Sequence, residues 1–264
     1  MAKGGKYVSK EAGSNGIRHY TEEENLVWRD LVLRQKEILP GLVCNAYMHG
    51  LDVLDLPVDR VPQLSEINEK IKKETNFEIE AVPALISPER FFGLLAQRKF
   101  PVATFIRTRE GFDYLQEPDI FHEIWGHCPM LTNQTYTNFL QKYGELALKL
   151  DSKYIWMMQR LFWFTVEFGL IDEGKGPLIY GAGIVSSAGE SPYSIHSDEA
   201  ERRPFDIVDV FRTPYRIDIF QKVYFSIRSY DELYELLTHD LVPLMEEALK
   251  LGMHKPRFPP KEEG

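Results

Sequence analysis

His122-Glu123-Ile124-Trp125-Gly126-His127, followed by Glu167 inside the apolar stretch Leu161–Leu170, is the part of the sequence from which the rest can be read. Two imidazoles and one carboxylate form a three-point ligand set that leaves one face of a metal ion open. That arrangement suits non-haem Fe(II), which must also hold oxygen and a co-substrate, and it points to an oxygenase. The commoner zinc motif, His-Glu-x-x-His, sets its imidazoles four residues apart, about 400° around a helix, so that they share a face. Here they are five apart, which on an α-helix leaves them roughly 140° out of register. Both reach one ion only if the helix ends between them, and Gly126 and Pro129 supply such an ending. His122 is therefore expected on a helix and His127 at or just beyond its end.

Glu167 strengthens the metal reading. The segment Tyr154-Ile-Trp-Met-Met-Gln-Arg-Leu-Phe-Trp-Phe-Thr-Val-Glu-Phe-Gly-Leu170 is apolar almost all round, as expected of a helix in the middle of a domain. An ionised carboxylate there costs several kcal/mol unless it is paired or bound to metal. Arg160 is one possible partner; the two upstream histidines make metal the better one. Cys128, next to His127, could offer a soft thiolate, but that would favour zinc or an Fe–S site, and the turn at Pro129 should point it away.

The 264 residues can bury a substantial core, and one large domain is expected. A formal net charge of -9 argues against general affinity for nucleic acid or an anionic membrane. No apolar run approaches the ~20 residues that cross a bilayer, and the start Met1-Ala-Lys-Gly-Gly-Lys6 has no signal-like apolar region. Two cysteines, Cys44 and Cys128, do not make a secreted disulfide framework. A cytoplasmic protein, monomeric or a small homo-oligomer, is expected.

Outward from the motif, residues 1–20 are polar and Gly-rich and read as a mobile arm, leaving 21–264 as one domain. Thr21-Glu-Glu-Glu24 is a capping box for a helix to about Ile38. Helices are predicted over 42–51, 63–74, from the Ser87-Pro88 cap to about Arg98, over 134–150 and over 152–170. Alternation predicts a strand over Phe77–Val82, with others over 100–107, 205–210 and 220–227. Ser229-x-x-Glu232 opens a last helix to about Lys250. The stretch Tyr180-Gly-Ala-Gly-Ile-Val-Ser-Ser-Ala-Gly-Glu190 is either a plain connecting loop or a segment that lets backbone approach a ligand. The fold class is mainly α with a few short strands.

Arg107, Gln116-Glu-Pro-Asp-Ile-Phe-His-Glu-Ile-Trp-Gly-His-Cys-Pro-Met130, Trp163-Phe-Thr-Val-Glu-Phe-Gly-Leu170 and the 180–190 stretch together resemble the pterin-dependent aromatic amino acid hydroxylases. The likeness is continuous from about Ala84 to Glu190 and looser to about Leu251. It implies a mainly helical catalytic domain with iron on His122, His127 and Glu167, and with tetrahydrobiopterin or a related tetrahydropterin and O2 as co-substrates. It further implies that Glu123 lies beside the pterin, that Phe91 is its stacking aromatic, and that Ile86 and Phe162 are nearby. Arg107 matches the residue that grips the substrate carboxylate, a role suited to a guanidinium fork. Asp119 matches a residue that orients it, and Ser186 one that assists at the same end. Trp163, Tyr114 and Phe168 resemble the wall of the aromatic pocket, and Gly183 lies in the matching Gly/Ser stretch. Without the resemblance, Phe91 reads as core and Arg107 as half of a surface salt bridge.

Leu115 and Gln116 stand where many members carry Thr-Pro, and Gln159 where animal members have a small residue. Tryptophan-specific members carry phenylalanine at the position of Trp163, and tyrosine-specific ones an aspartate near Ile217, so L-phenylalanine is the expected substrate and L-tyrosine the product. The length fits the bacterial members, without the regulatory domain and tetramerisation helix of the animal enzymes. Two other readings stand beside this one: a zinc hydrolase with Glu123 as general base, and a non-catalytic domain in which a metal only stabilises the fold.

Overall fold

Thr21 opens the first helix with the reciprocal bonds of a capping box, its side chain accepting the Glu24 N–H while the Glu24 carboxylate accepts its backbone N–H. The computed structural model describes residues 7–83, 85–113 and 117–260. From α1 (Glu22–Ile38) the chain runs through α2 (Asn45–Leu54) and α3 (Leu64–Glu74) to β1 (Glu78–Val82). Ser87 caps α4 (Pro88–Ala96), and β2 (Lys99–Ala103) then pairs parallel to β1, with Glu78 opposite Lys99 and Val82 opposite Ala103. After the histidine segment come α5 (Gln134–Ala147), α6 (Ile155–Phe162), β3 (Gly169–Asp172) and β4 (Pro177–Ile179). Short α7 (Ala182–Val185) and α8 (Glu190–His196) lead to β5 (Glu201–Pro204) and α9 (Ile207–Arg212). The chain closes with β6 (Val223–Ile227), α10 (Tyr230–Leu236) and α11 (Val242–Leu251). A four-stranded sheet runs in the order β4-β3-β6-β5, antiparallel only between β3 and β4. The mainly helical class agrees with the sequence pattern.

Five local expectations differ. The strand predicted over 205–210 is the helix α9, because the Asp206 side chain accepts the Asp209 N–H and nucleates a turn. The single last helix is two: α10 stops at Leu236, and Pro243 lies in the first turn of α11. The helix predicted over 152–170 ends at Glu167, and Gly169 starts a strand. The Gly/Ser stretch holds α7 and the start of α8 rather than a plain loop. The segment expected as a mobile arm is, in its described part, tied to the body. Ser9 Oγ donates to Val82 O and accepts the Thr104 N–H, Thr104 Oγ1 donates to Lys10 O, and Tyr7 stacks on Phe105 at 4.9 Å.

The core backs the histidine segment directly. Trp28 of α1 meets Phe121 edge-on at 5.8 Å, and Phe121 stacks on Trp125 at 6.0 Å, all three fully buried. Burying a side chain such as Phe121 contributes about 2–3 kcal/mol, so the ligand segment rests on a stiff floor.

Candidate metal centre and adjoining pocket

Both ligand-bearing segments leave α-helical geometry where the ligands sit. His122–His127 is a single π-helical segment that runs into a 3-10 turn at Cys128–Thr132, and Trp163–Glu167 is a second π segment continuing α6. In a π-helix the hydrogen bond spans five residues instead of four, and such turns concentrate at functional sites. The five-residue spacing is thus met by widening the helix, and the expected end between the histidines does not occur. Gly126 instead makes room for a neighbour. A Cβ there would lie 3.0 Å from Ala182 O, so its bareness lets α7 pack against the turn. At Glu167 the widening is visible in the Phe168 N–H, which donates to Trp163 O at 2.8 Å.

The three predicted ligands converge. His122 Nε2 and His127 Nε2 are 3.2 Å apart, Glu167 Oε2 is 3.5 Å from the first and Glu167 Oε1 3.3 Å from the second. The Ser186 hydroxyl donates its only hydrogen to Ala182 O at 2.8 Å, so across its 2.9 Å contact with His122 Nδ1 it must accept. That fixes the proton of His122 on Nδ1 and turns the lone pair of Nε2 inward. A lone pair, a carboxylate and a second imidazole then face one point. A single proton can bridge only two of these three atoms, whereas one small divalent ion satisfies all of them. Edges of 3.2–3.5 Å are compatible with metal–ligand bonds of about 2.0–2.2 Å. The site therefore fits the implied iron.

Electrostatics agree. Burial pushes His122 down to about 4 despite the opposing pull of Glu167, keeping the imidazole neutral. For Glu167 burial acts upward but is outweighed by His127 and His122 and by the Gly183 N–H, which hold the carboxylate ionised. Arg160, its possible alternative partner, instead donates to Phe211 O and lies over Trp156. The carboxyl of Glu123 is close enough to form a geometric cluster with the two histidines, within 4.8 Å. Burial, then Glu167, pushes it well above the carboxylate range. The Cys128 thiol donates to Glu123 O and is buried, pointing away as expected.

Arg107 is buried instead of being half of a surface pair. Its Nε and Nη2 each donate to Asp119 at 2.9 Å, its backbone N–H does the same, and Nη1 donates to Phe112 O at 3.3 Å. Asp119 also accepts the His122 N–H at 3.0 Å, so one carboxylate fixes both Arg107 and the start of the ligand turn. Burial would raise Asp119, but the Arg107 charge and hydrogen bonds prevail and hold it low.

Trp163 has Tyr215 stacked at 4.4 Å and Phe168 tilted at 4.5 Å. A Cβ on Gly183 would lie 2.7 Å from the Phe168 ring, so that glycine makes room for the aromatic while its N–H serves Glu167. Phe91 and Phe162, both partly buried, meet edge-to-face at 5.1 Å, and Ile86 is partly buried in the bend before α4. Ser186, expected at the carboxylate end of the substrate, makes its polar side-chain contacts with His122 and Ala182. Ile217 is 49% exposed on the surface, which removes the basis for reading substrate choice from it. Tyr114, Leu115 and Gln116 lie outside the described residues. Sequence reasoning missed Gln221 and Tyr215, which meet Trp163 across long sequence separations and carry no local motif, and it gave no role to Glu190, which ends the 180–190 stretch and bonds Gln221 and Tyr224.

The family described as biopterin-dependent aromatic amino acid hydroxylases matches residues 12–247. A phenylalanine-4-hydroxylase of Vibrio cholerae is 48% identical over 98% of this chain and 89% of its own length. That of Pseudomonas aeruginosa is 47% identical over 97% and 98%. Among solved structures, the apo phenylalanine hydroxylase of Colwellia psychrerythraea superposes with a TM-score of 0.92 at 46% identity, covering 98% of this chain and 100% of that one. The Chromobacterium violaceum enzyme with bound oxidised Fe(III) gives 0.87 at 38% identity, covering 95% and 94%. With the ligand triangle, the Arg107–Asp119 pair and this similarity along nearly the whole chain, the protein belongs to the biopterin-dependent aromatic amino acid hydroxylases.

Proposed function

We propose that this chain is a phenylalanine 4-monooxygenase, converting L-phenylalanine to L-tyrosine with O2 and a tetrahydropterin. The observation that carries the reading is the triangle of His122 Nε2, His127 Nε2 and Glu167, built on two π turns beside a buried guanidinium. His122, His127 and Glu167 would hold Fe(II). When bound, iron and pterin supply open coordination positions for O2 and the two electrons that no side chain can provide.

The chain's own residues bind and orient. Among the described residues, Arg107 commits three of its five side-chain N–H groups to Asp119 and Phe112, leaving two for the substrate carboxylate. Trp163 and Phe168, with Tyr114, would wall the ring. Phe91 and Phe162, with Ile86, offer apolar faces to a flat heterocycle, and Glu123 would hydrogen-bond to it. Ser186 holds the His122 proton on Nδ1. The buried floor of Phe121 and Trp125 excludes water from behind the ligands. We assign the chain to a single catalytic domain that includes the described part of 1–20, and the protein to the cytoplasm, as a monomer or small homo-oligomer. No helix among the described residues is long and apolar enough to cross a membrane.

The test is an assay of metal-stripped protein reconstituted with Fe(II) or Zn(II), with tetrahydrobiopterin, O2 and phenylalanine. Tyrosine is expected with iron and not with zinc, and Glu167→Ala should neither retain iron nor form product. Absence of tyrosine with all three components, or full iron occupancy in Glu167→Ala, overturns the reading.

A further inference from the structure

The indole N–H of Trp163 donates to Gln221 Oε1 at 3.0 Å, across 58 positions of sequence. The amide cannot turn the other way. Its Nε2 donates to Arg216 O at 2.8 Å and to Ile219 O at 3.3 Å, so two carbonyls fix the nitrogen end and leave the oxygen for the indole. The backbone of Gln221 is fixed too: its N–H donates to Glu190 Oε1 at 2.8 Å, and the same oxygen accepts the Tyr224 hydroxyl at 2.7 Å. Gln221 and Glu190 are both buried. Tyr215, in the same connection between α9 and β6, lies nearly parallel to the indole at 19°. An indole held in its plane by a hydrogen bond and on its face by a stacked ring has little freedom about χ2.

We propose that Gln221 is a positioning residue for the substrate ring, setting the plane of Trp163 and thereby which aromatic ring fits beside the iron. This rests on the reading that Trp163 walls the ring pocket. Gln221 touches neither iron ligands nor Arg107, so its loss acts on ring placement and leaves metal and carboxylate binding in place.

The experiment compares Gln221→Met, Gln221→Glu, Trp163→Phe and the double variant Gln221→Met/Trp163→Phe, measuring iron content, KM and kcat for phenylalanine and tryptophan. Gln221→Met, close in length but without the acceptor for the indole or the donors to Arg216 O and Ile219 O, is expected to keep its iron and to raise KM for phenylalanine about five- to tenfold, the worth of the lost indole bond. Its kcat changes less, and its preference for phenylalanine over tryptophan narrows. Gln221→Glu keeps an acceptor for the indole but loses both N–H bonds to Arg216 O and Ile219 O and sets an oxygen against them, so it should not restore the parent KM. In the double variant, Gln221→Met should add little to the KM effect of Trp163→Phe, because the indole bond is already gone and the other two bonds it removes, to Arg216 O and Ile219 O, do not touch the ring-pocket residue. If Gln221→Met does not fold, Gln221→Asn, one methylene too short to reach the indole, takes its place. Unchanged KM and substrate preference in Gln221→Met, or its full effect persisting on top of Trp163→Phe, overturns the proposal while leaving Trp163 in the pocket. If Trp163→Phe itself changes neither substrate, the pocket reading falls and this proposal with it.

Discussion

Replacing Glu190 by glutamine should change how stability depends on pH. Glu190 is buried at the start of α8, and burial lifts its carboxyl from 4.5 to about 7 against the lowering effect of the Gln221 N–H and the Tyr224 hydroxyl. Because the folded-state value lies above the unfolded one, folding favours the neutral acid. The stabilisation is fully present below about pH 4.5 and is lost as pH rises through about 7. A rise of that size corresponds to roughly 3 kcal/mol at about 1.4 kcal/mol per pH step. Glutamine keeps an oxygen for both donors and does not titrate, so the other groups of the protein cancel when the two proteins are compared. Urea unfolding of both, at equal iron content and at about pH 5 and pH 8.5, measures the gap. The variant should gain roughly 3 kcal/mol on the parent across that range, most of it between pH 5 and 8. A gap that stays constant within about 0.5 kcal/mol would show that Glu190 is ionised throughout and refute the reasoning.

Two further substitutions test the site. Ser186→Ala removes the acceptor that holds the His122 proton on Nδ1 and should weaken iron binding about 10- to 100-fold, the usual effect of losing such a partner; an unchanged affinity in a metal titration would show that the tautomer is set otherwise. Arg107→Ala should weaken phenylalanine binding by about 2–5 kcal/mol, the cost of stranding a desolvated carboxylate, and it also leaves buried Asp119 unpaired. Steady-state KM and kcat equal to the parent's would remove Arg107 from the substrate site.

Caps and turn residues were legible in the sequence because they act over a few residues: Thr21 with Glu24, Ser87 with Pro88 and Ser229 with Glu232 each mark a helix start. Asp206 acts just as locally, but the apolar run around it reads equally as a strand, and only the helical turn of α9 decides between them. The three ligands were legible for a chemical reason, since two imidazoles and a carboxylate in an apolar setting have few other uses. The manner in which they meet was not. An α-helix puts His122 and His127 on different faces, and no local signal announces that the helix widens into a π turn. Packing settles it, through α7 pressing on bare Gly126 and the aromatic floor of Trp28, Phe121 and Trp125 beneath. The same holds for Ser186 on His122, 64 positions apart, and Gln221 on Trp163, 58 apart. The sequence by itself determined which side chains can do the chemistry and where most helices begin. The tertiary structure decided which of them meet, because hydrogen bonds between distant residues exist only once the core has fixed the distances between their backbones.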